Sequence, residues 1–152
     1  RSGVPVIYDE NTEFKIGKAK RLTDGKDAAI IVCGQLVATA LQAAEELKEE
    51  GINVSVVDMF TIKPLDTEMI RDLCRDHQLI VTIEENVLAG GFGEQVVQYV
   101  MQSGEKTRVR TIGISDDYVE HGNVEVLRKE VGLDQETIVA QIKEDYLMIK
   151  ED

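Results

Sequence analysis

The amino-acid sequence predicts an α/β domain of three layers: a mainly parallel five-stranded sheet with an antiparallel edge strand, and helices on both faces. Three observations carry this. Short continuous apolar runs, such as residues 28–33 (AAIIVC) and 79–83 (LIVTI), read as strands buried on both faces. Between them lie stretches with apolar residues three and four apart, the spacing of amphipathic helices. Strands that alternate with helices form right-handed βαβ units, which set the strands parallel and cover the sheet twice.

The elements follow in order. Residues 1–13 (RSGVPVIYDENTE) lack a clear period and read as an extended interdomain lead-in. Residues 14–22 alternate apolar and basic side chains and predict a short edge strand, where lysines discourage stray pairing. Asp24-Gly25 makes a turn. Residues 28–33 form a buried strand closed by Gly34. Residues 36–50 form a helix with Val37, Ala40, Leu41, Ala44 and Leu47 on one face, ended by Gly51. The second buried strand is 54–57. Asp66 caps a helix that runs through His77, and Pro64 forbids an earlier start. The third buried strand, 79–83, leads through Glu84-Glu85-Asn86 to Gly90-Gly91-Phe92-Gly93, which opens a helix at 94–102. Residues 109–114 form the fourth, followed by a loop at 115–122 and a short helix at 124–131. Gly132 breaks that helix. Asp134 caps the last one, striped by Ile138, Val139, Ile142, Tyr146 and Leu147. No internal repeat appears, so 14–152 reads as one domain.

With 152 residues, 43% hydrophobic and 30% charged, the chain can bury a core without metal or disulfide support. A net charge of −12 repels nucleic acid and anionic lipid, and excludes both as general partners. No apolar stretch approaches the roughly 18 residues of a membrane span, and no signal peptide is visible. Cys33 and Cys74 read as buried free thiols, which fits a reducing cytosol and predicts a cytoplasmic protein. Neither belongs to a C-x-x-C pair, so zinc has no support. The chain begins at Arg1 rather than methionine, as expected of a fragment of something longer.

Ligands of open parallel sheets bind outside the carboxyl ends of the strands. Here that edge carries Gly34, Asp58, residues 84–93 and the 115–122 loop. The candidate interface or ligand edge is therefore Gly34, Glu84, Glu85, Asn86, Gly90, Gly91, Gly93 and His121. The glycines precede a helix, where phosphates often dock, but the dinucleotide pattern G-x-G-x-x-G is absent. Glu84, Glu85 and Glu94 would repel a phosphate. Glu84 and Glu85 are adjacent at a strand end and should point to opposite faces, so they predict hydrogen-bonding roles rather than a carboxylate pair. His77 ends a helix, where a cation suits the dipole. His121, beside Glu120, is a candidate acid–base group or a loop-ordering residue. No nucleophile, metal-ligand spacing or cofactor motif accompanies it.

Taken in order, several segments resemble the C-terminal domain of the transketolase family. Residues 4–10 (VPVIYDE) with 14–19 (FKIGKA) are similar to its entry. Residues 61–66 (TIKPLD), 81–86 (VTIEEN) with 90–93 (GGFG), 117–122 (DYVEHG) and Gly132-Leu133 complete the pattern across nearly the whole chain. The entry is similar to transketolases split into two subunits. The Glu-His-Gly loop and the Glu-Glu-Asn segment are similar to 1-deoxy-D-xylulose-5-phosphate synthase, an enzyme of isoprenoid precursor synthesis. Similar domains also occur in the β chains of 2-oxo acid dehydrogenases.

The resemblance implies a structural and assembly domain of a thiamine-diphosphate-dependent enzyme that moves ketol groups between sugar phosphates. Thiamine diphosphate and magnesium would lie between two other domains. The Gly-Asp-Gly metal motif and the glutamate that contacts the pyrimidine are missing here. No catalytic, cofactor-binding or metal residue is therefore assigned to this chain. The expected partners are the other domains or subunits of the enzyme, in a homodimer. The competing readings are a stand-alone small-molecule-binding module at the carboxyl edge and an independent enzyme of the flavodoxin-like type.

Overall fold

A computed structural model of the chain describes residues 3–151; Arg1, Ser2 and Asp152 lie outside the described residues. Five strands form one sheet in the order β1-β3-β2-β4-β5. They are β1 Lys20–Thr23, β2 Ala28–Val32, β3 Val54–Asp58, β4 Leu79–Val87 and β5 Arg108–Ile114. The pairs β2–β3, β2–β4 and β4–β5 are parallel, and β1 runs antiparallel to β3 at the margin. The helices are α1 Val37–Glu49, α2 Thr67–Asp76, α3 Phe92–Ser103, α4 Val124–Glu130 and α5 Gln135–Glu151. A 3-10 turn, Gly34–Leu36, precedes α1.

Alternation along each strand divides the core in two. Ala28, Ile30 and Val32 of β2 face a cluster with Leu36, Leu47, Ile138 and Ile142, under α1 and α5. Ala29 and Ile31 face the opposite cluster with Ile70, Leu73, Phe92 and Val96, under α2 and α3. All five residues of β2 are fully buried, which explains its unbroken apolar run. Each Ile or Leu interred in this way stabilises the fold by about 1.5–3 kcal/mol.

The predicted caps are present. Asp66 Oδ1 accepts the Met69 N–H at 3.1 Å, and Asp134 Oδ1 accepts the Thr137 N–H at 3.2 Å. The structure departs from expectation at the first strand. Pairing begins at Lys20 rather than Phe14, because Gly17 turns the chain with φ +80° and Phe14 is drawn into an aromatic group. Its ring stands edge-on to Tyr8 and to Phe60, each with centroids 4.9 Å apart. Residues 3–19 thus form an irregular strap along the carboxyl edge, fastened at Gly17 by the Thr61 hydroxyl, which accepts its N–H at 3.0 Å. At the other end of the chain, α5 finishes at the amino edge, where Ile149 lines a groove with Gln78 and Arg108.

Candidate functional site

From β2 the chain moves to β3 on one side, and β4 then pairs on the other side of β2. The switch point of this sheet therefore lies between the carboxyl ends of β2 and β4, the crevice where open α/β sheets hold ligands. Cys33, Gly34 and Gln35 leave β2 there and face Glu84, Glu85, Asn86, Gly90 and Gly91 across a groove of about 380 Å³. The structure thus unites six of the eight residues expected at this edge. Gly93 lies buried within the first turn of α3. His121 stands apart, exposed, beside a separate hollow of about 550 Å³ under the 115–122 loop.

Glu84 is only 2% exposed. Its Oε2 accepts the Phe92 N–H and its Oε1 accepts the Gly93 N–H, each at 2.8 Å. A carboxylate at a helix N-terminus satisfies orphan donors and meets the positive end of the dipole. Glu84 therefore fills the place where a phosphate would dock. The glycines make this possible. A Cβ on Gly91 would come 2.5 Å from Glu84 Oε2, and one on Gly93 would come 2.6 Å from Thr82 Oγ1. Glu94, on the exposed side, accepts the Gly90 N–H at 2.8 Å.

Glu85 points away from Glu84, as alternation along the strand requires. It accepts a hydrogen bond from Arg128 Nε of α4 at 2.7 Å, and the same guanidinium reaches Gln35 Oε1 at 3.4 Å. No residue of α4 itself is buried, so this link and the fully buried Leu133 behind it hold the helix down. His77 is not exposed at the end of its helix. It is 4% exposed, with Nδ1 at 3.0 Å from the Leu73 carbonyl and Nε2 at 2.9 Å from that of Gly25. It ties the end of α2 to the β1–β2 turn.

Sequence reasoning placed Asp58 at the edge but missed its partner. The Tyr8 hydroxyl donates to Asp58 Oδ2 at 2.6 Å, and Oδ1 has no hydrogen-bond partner. Burial pushes the Asp58 carboxyl above its usual range, against the lowering effect of Tyr8. Burial, then the Glu84 and Asp58 carboxylates, push the Cys33 thiol up to about 11. The Tyr8–Asp58 contact spans 50 residues and leaves no local sequence signal.

These residues do not fit a diphosphate and its metal. The donors of the α3 N-terminus are spent on Glu84, and the carboxylates around the groove repel anions. Among the described residues, no three of His, Cys, Asp and Glu are arranged to hold a metal ion. Nor is any helix long and apolar enough to cross a membrane.

The architecture has known counterparts. A family model described as transketolase, C-terminal domain, matches residues 17–138. The 1-deoxy-D-xylulose-5-phosphate synthase of Heliobacterium modesticaldum is 42% identical over 94% of this chain and 22% of its own length. A putative transketolase C-terminal section of Methanocaldococcus jannaschii is 39% identical over 95% of this chain and 46% of its own. A solved split-gene transketolase, described as an inactive beta4 tetramer, superposes with a TM-score of 0.90 at 33% identity, over 95% of this chain and 47% of that one. The chain thus spans from about a fifth to about half of the length of these relatives. Family model, relatives and superposed fold agree: the chain belongs to the transketolase C-terminal domain family.

Proposed function

We propose that this chain is the assembly domain of a thiamine-diphosphate-dependent transketolase-type enzyme. In this reading it contributes packing surface, and ketol transfer between sugar phosphates occurs elsewhere in that enzyme. The observation that carries it is Glu84, whose carboxylate already occupies the N-terminus of α3 at the switch point, where a phosphate ligand could otherwise dock. The neighbouring Glu85 is spent on Arg128. Thiamine diphosphate and magnesium are accordingly assigned to the other parts of the enzyme. Two free thiols, Cys33 and Cys74, favour a cytosolic enzyme. A homodimer is the expected assembly. Residues 1–13 act as the interdomain lead-in to the domain at 14–152.

A second reading, the matching domain of a 1-deoxy-D-xylulose-5-phosphate synthase, is favoured by the 42% identity to the Heliobacterium synthase. One experiment tests both. The pure chain is incubated with thiamine diphosphate, magnesium and sugar phosphates, then supplemented with the cofactor-binding part. Turnover is expected only after the addition. Its product distinguishes ketol transfer from 1-deoxy-D-xylulose-5-phosphate formation. Turnover by the chain alone would overturn the assembly reading.

A further inference from the structure

Resting on that reading, we infer that the carboxyl edge is the docking face, and that it receives an apolar surface with a basic rim on the cofactor-binding part of the same enzyme. Eight of the eleven large apolar side chains exposed among the described residues lie on just two segments, the strap and the stretch from the 115–122 loop into α4. Val6 is 92% exposed and Ile16 84% on the strap; Tyr118 is 90% and Val126 56% exposed on the other. The strap crosses the end of β3, and the loop leaves the end of β5. The two apolar segments therefore lie on either side of the switch-point groove. Grouped apolar exposure of this kind marks an interaction surface.

Each segment is fastened to the sheet by a carboxylate near the carboxyl end of a strand. Tyr8 holds the strap to Asp58, and Arg128 holds α4 to Glu85. Both apolar segments are thus held in place before anything docks, which lowers the ordering cost of association. The occupant follows from charge. Asp9 and Glu10 are exposed on the strap, where Lys15 already pairs with Glu13 and Lys18 with Glu68, and Asp116, Asp117 and Glu120 are exposed on the loop. A second copy would bring these carboxylates against their own kind, at a cost. Lysines and arginines around an apolar patch would complement them. A phosphate-bearing ligand is rejected for the same reason and by the occupied α3 N-terminus. The cofactor-binding part is the candidate because the relatives carry this domain as 22–46% of their own length.

The test uses the whole enzyme with p-benzoylphenylalanine placed singly at Val6, Ile16 or Val126, and at Met101 or Leu147 as exposed apolar positions away from these segments. After illumination, cross-linked peptides are mapped. The strap and α4 positions should cross-link to the cofactor-binding part with at least tenfold higher yield than the two controls. Equal or greater yield from the controls would overturn the docking face while leaving the domain assignment intact. Cross-links from Val6, Ile16 and Val126 to a second copy of this domain would overturn the occupant. An enzyme whose chains include no cofactor-binding part would overturn the assignment and this inference together.

Discussion

Arg110 Nε on β5 lies 3.3 Å from Asp145 Oδ2 on α5, so a half-exposed cation faces a carboxylate whose side chain is 3% exposed. Oδ2 has no hydrogen-bond partner, so the contact is an ion pair alone. Removing one partner of a buried pair costs more than replacing both. The exposed guanidinium lets solvent screen the interaction and moderates that cost. Arg110→Met should lower unfolding stability by about 1–3 kcal/mol. Adding Asp145→Leu should recover most of the loss. A double-mutant cycle in urea reads both.

Glu84 predicts a different response. Glu84→Ala strips two charge-assisted hydrogen bonds and leaves the Phe92 and Gly93 N–H groups buried without acceptors. The expected loss is about 3 kcal/mol. Small anions such as formate should then enter the vacated cradle and raise the melting temperature of this variant but not of the parent. Gly91→Ala should destabilise by a related route, since its Cβ would come 2.5 Å from Glu84 Oε2.

The Cys33 thiol, held up to about 11 by burial and then by the Glu84 and Asp58 carboxylates, should be a poor nucleophile despite its partial exposure. At pH 8 its alkylation by iodoacetamide should run on the order of 100-fold slower than that of an ordinary cysteine with pKa near 8.5. The rate should climb about tenfold per pH unit towards 11. A flat profile between pH 7 and 9 would contradict this electrostatic picture.

Asp58 gives a pH signature of unusual sign. Burial raises its carboxyl above the usual value, so the folded state binds this proton more tightly than the unfolded chain. Its contribution favours folding most below the unfolded value, about 3.9, and is lost as pH rises through the folded value. Asp58→Asn should therefore gain stability relative to the parent above that window and match it below. Asp27 and Asp134 behave oppositely. Burial pushes both up, but hydrogen bonds from Asn53 and Tyr146 to Asp27, and from Thr137 to Asp134, prevail and hold both low. Their contribution is present above the unfolded value and lost as pH falls. Urea melts of parent and Asp58→Asn across pH 3–8 would separate the two effects.

The parallel sheet was legible because β2 and β4 carry apolar runs that only two-sided burial explains, and because α1 and α3 repeat at three and four. Asp66 and Asp134 announced their helices through local capping chemistry. The opposite orientations of Glu84 and Glu85 followed from strand alternation, yet what each touches did not. Phe92 and Arg128 come to them through packing across 8 and 43 residues. The first strand was set too early because Phe14 and Ile16 alternate with lysines, whereas Gly17 and the ring of Phe60 fix that stretch as a strap. His121 was grouped with the groove by shared position at strand ends. The length of the loop after β5 carries it to a hollow of its own.

Tyr8 fastens the strap at the carboxyl edge and α5 finishes beside Gln78 and Arg108 at the amino edge, so the two ends of the described chain lie at opposite rims of the sheet. A fluorophore or surface anchor joined after α5 would therefore hold the domain by its back. The switch-point groove, the strap and α4 would face the solution, an orientation suited to immobilised measurements at that rim. The same attachment placed ahead of the strap would crowd it.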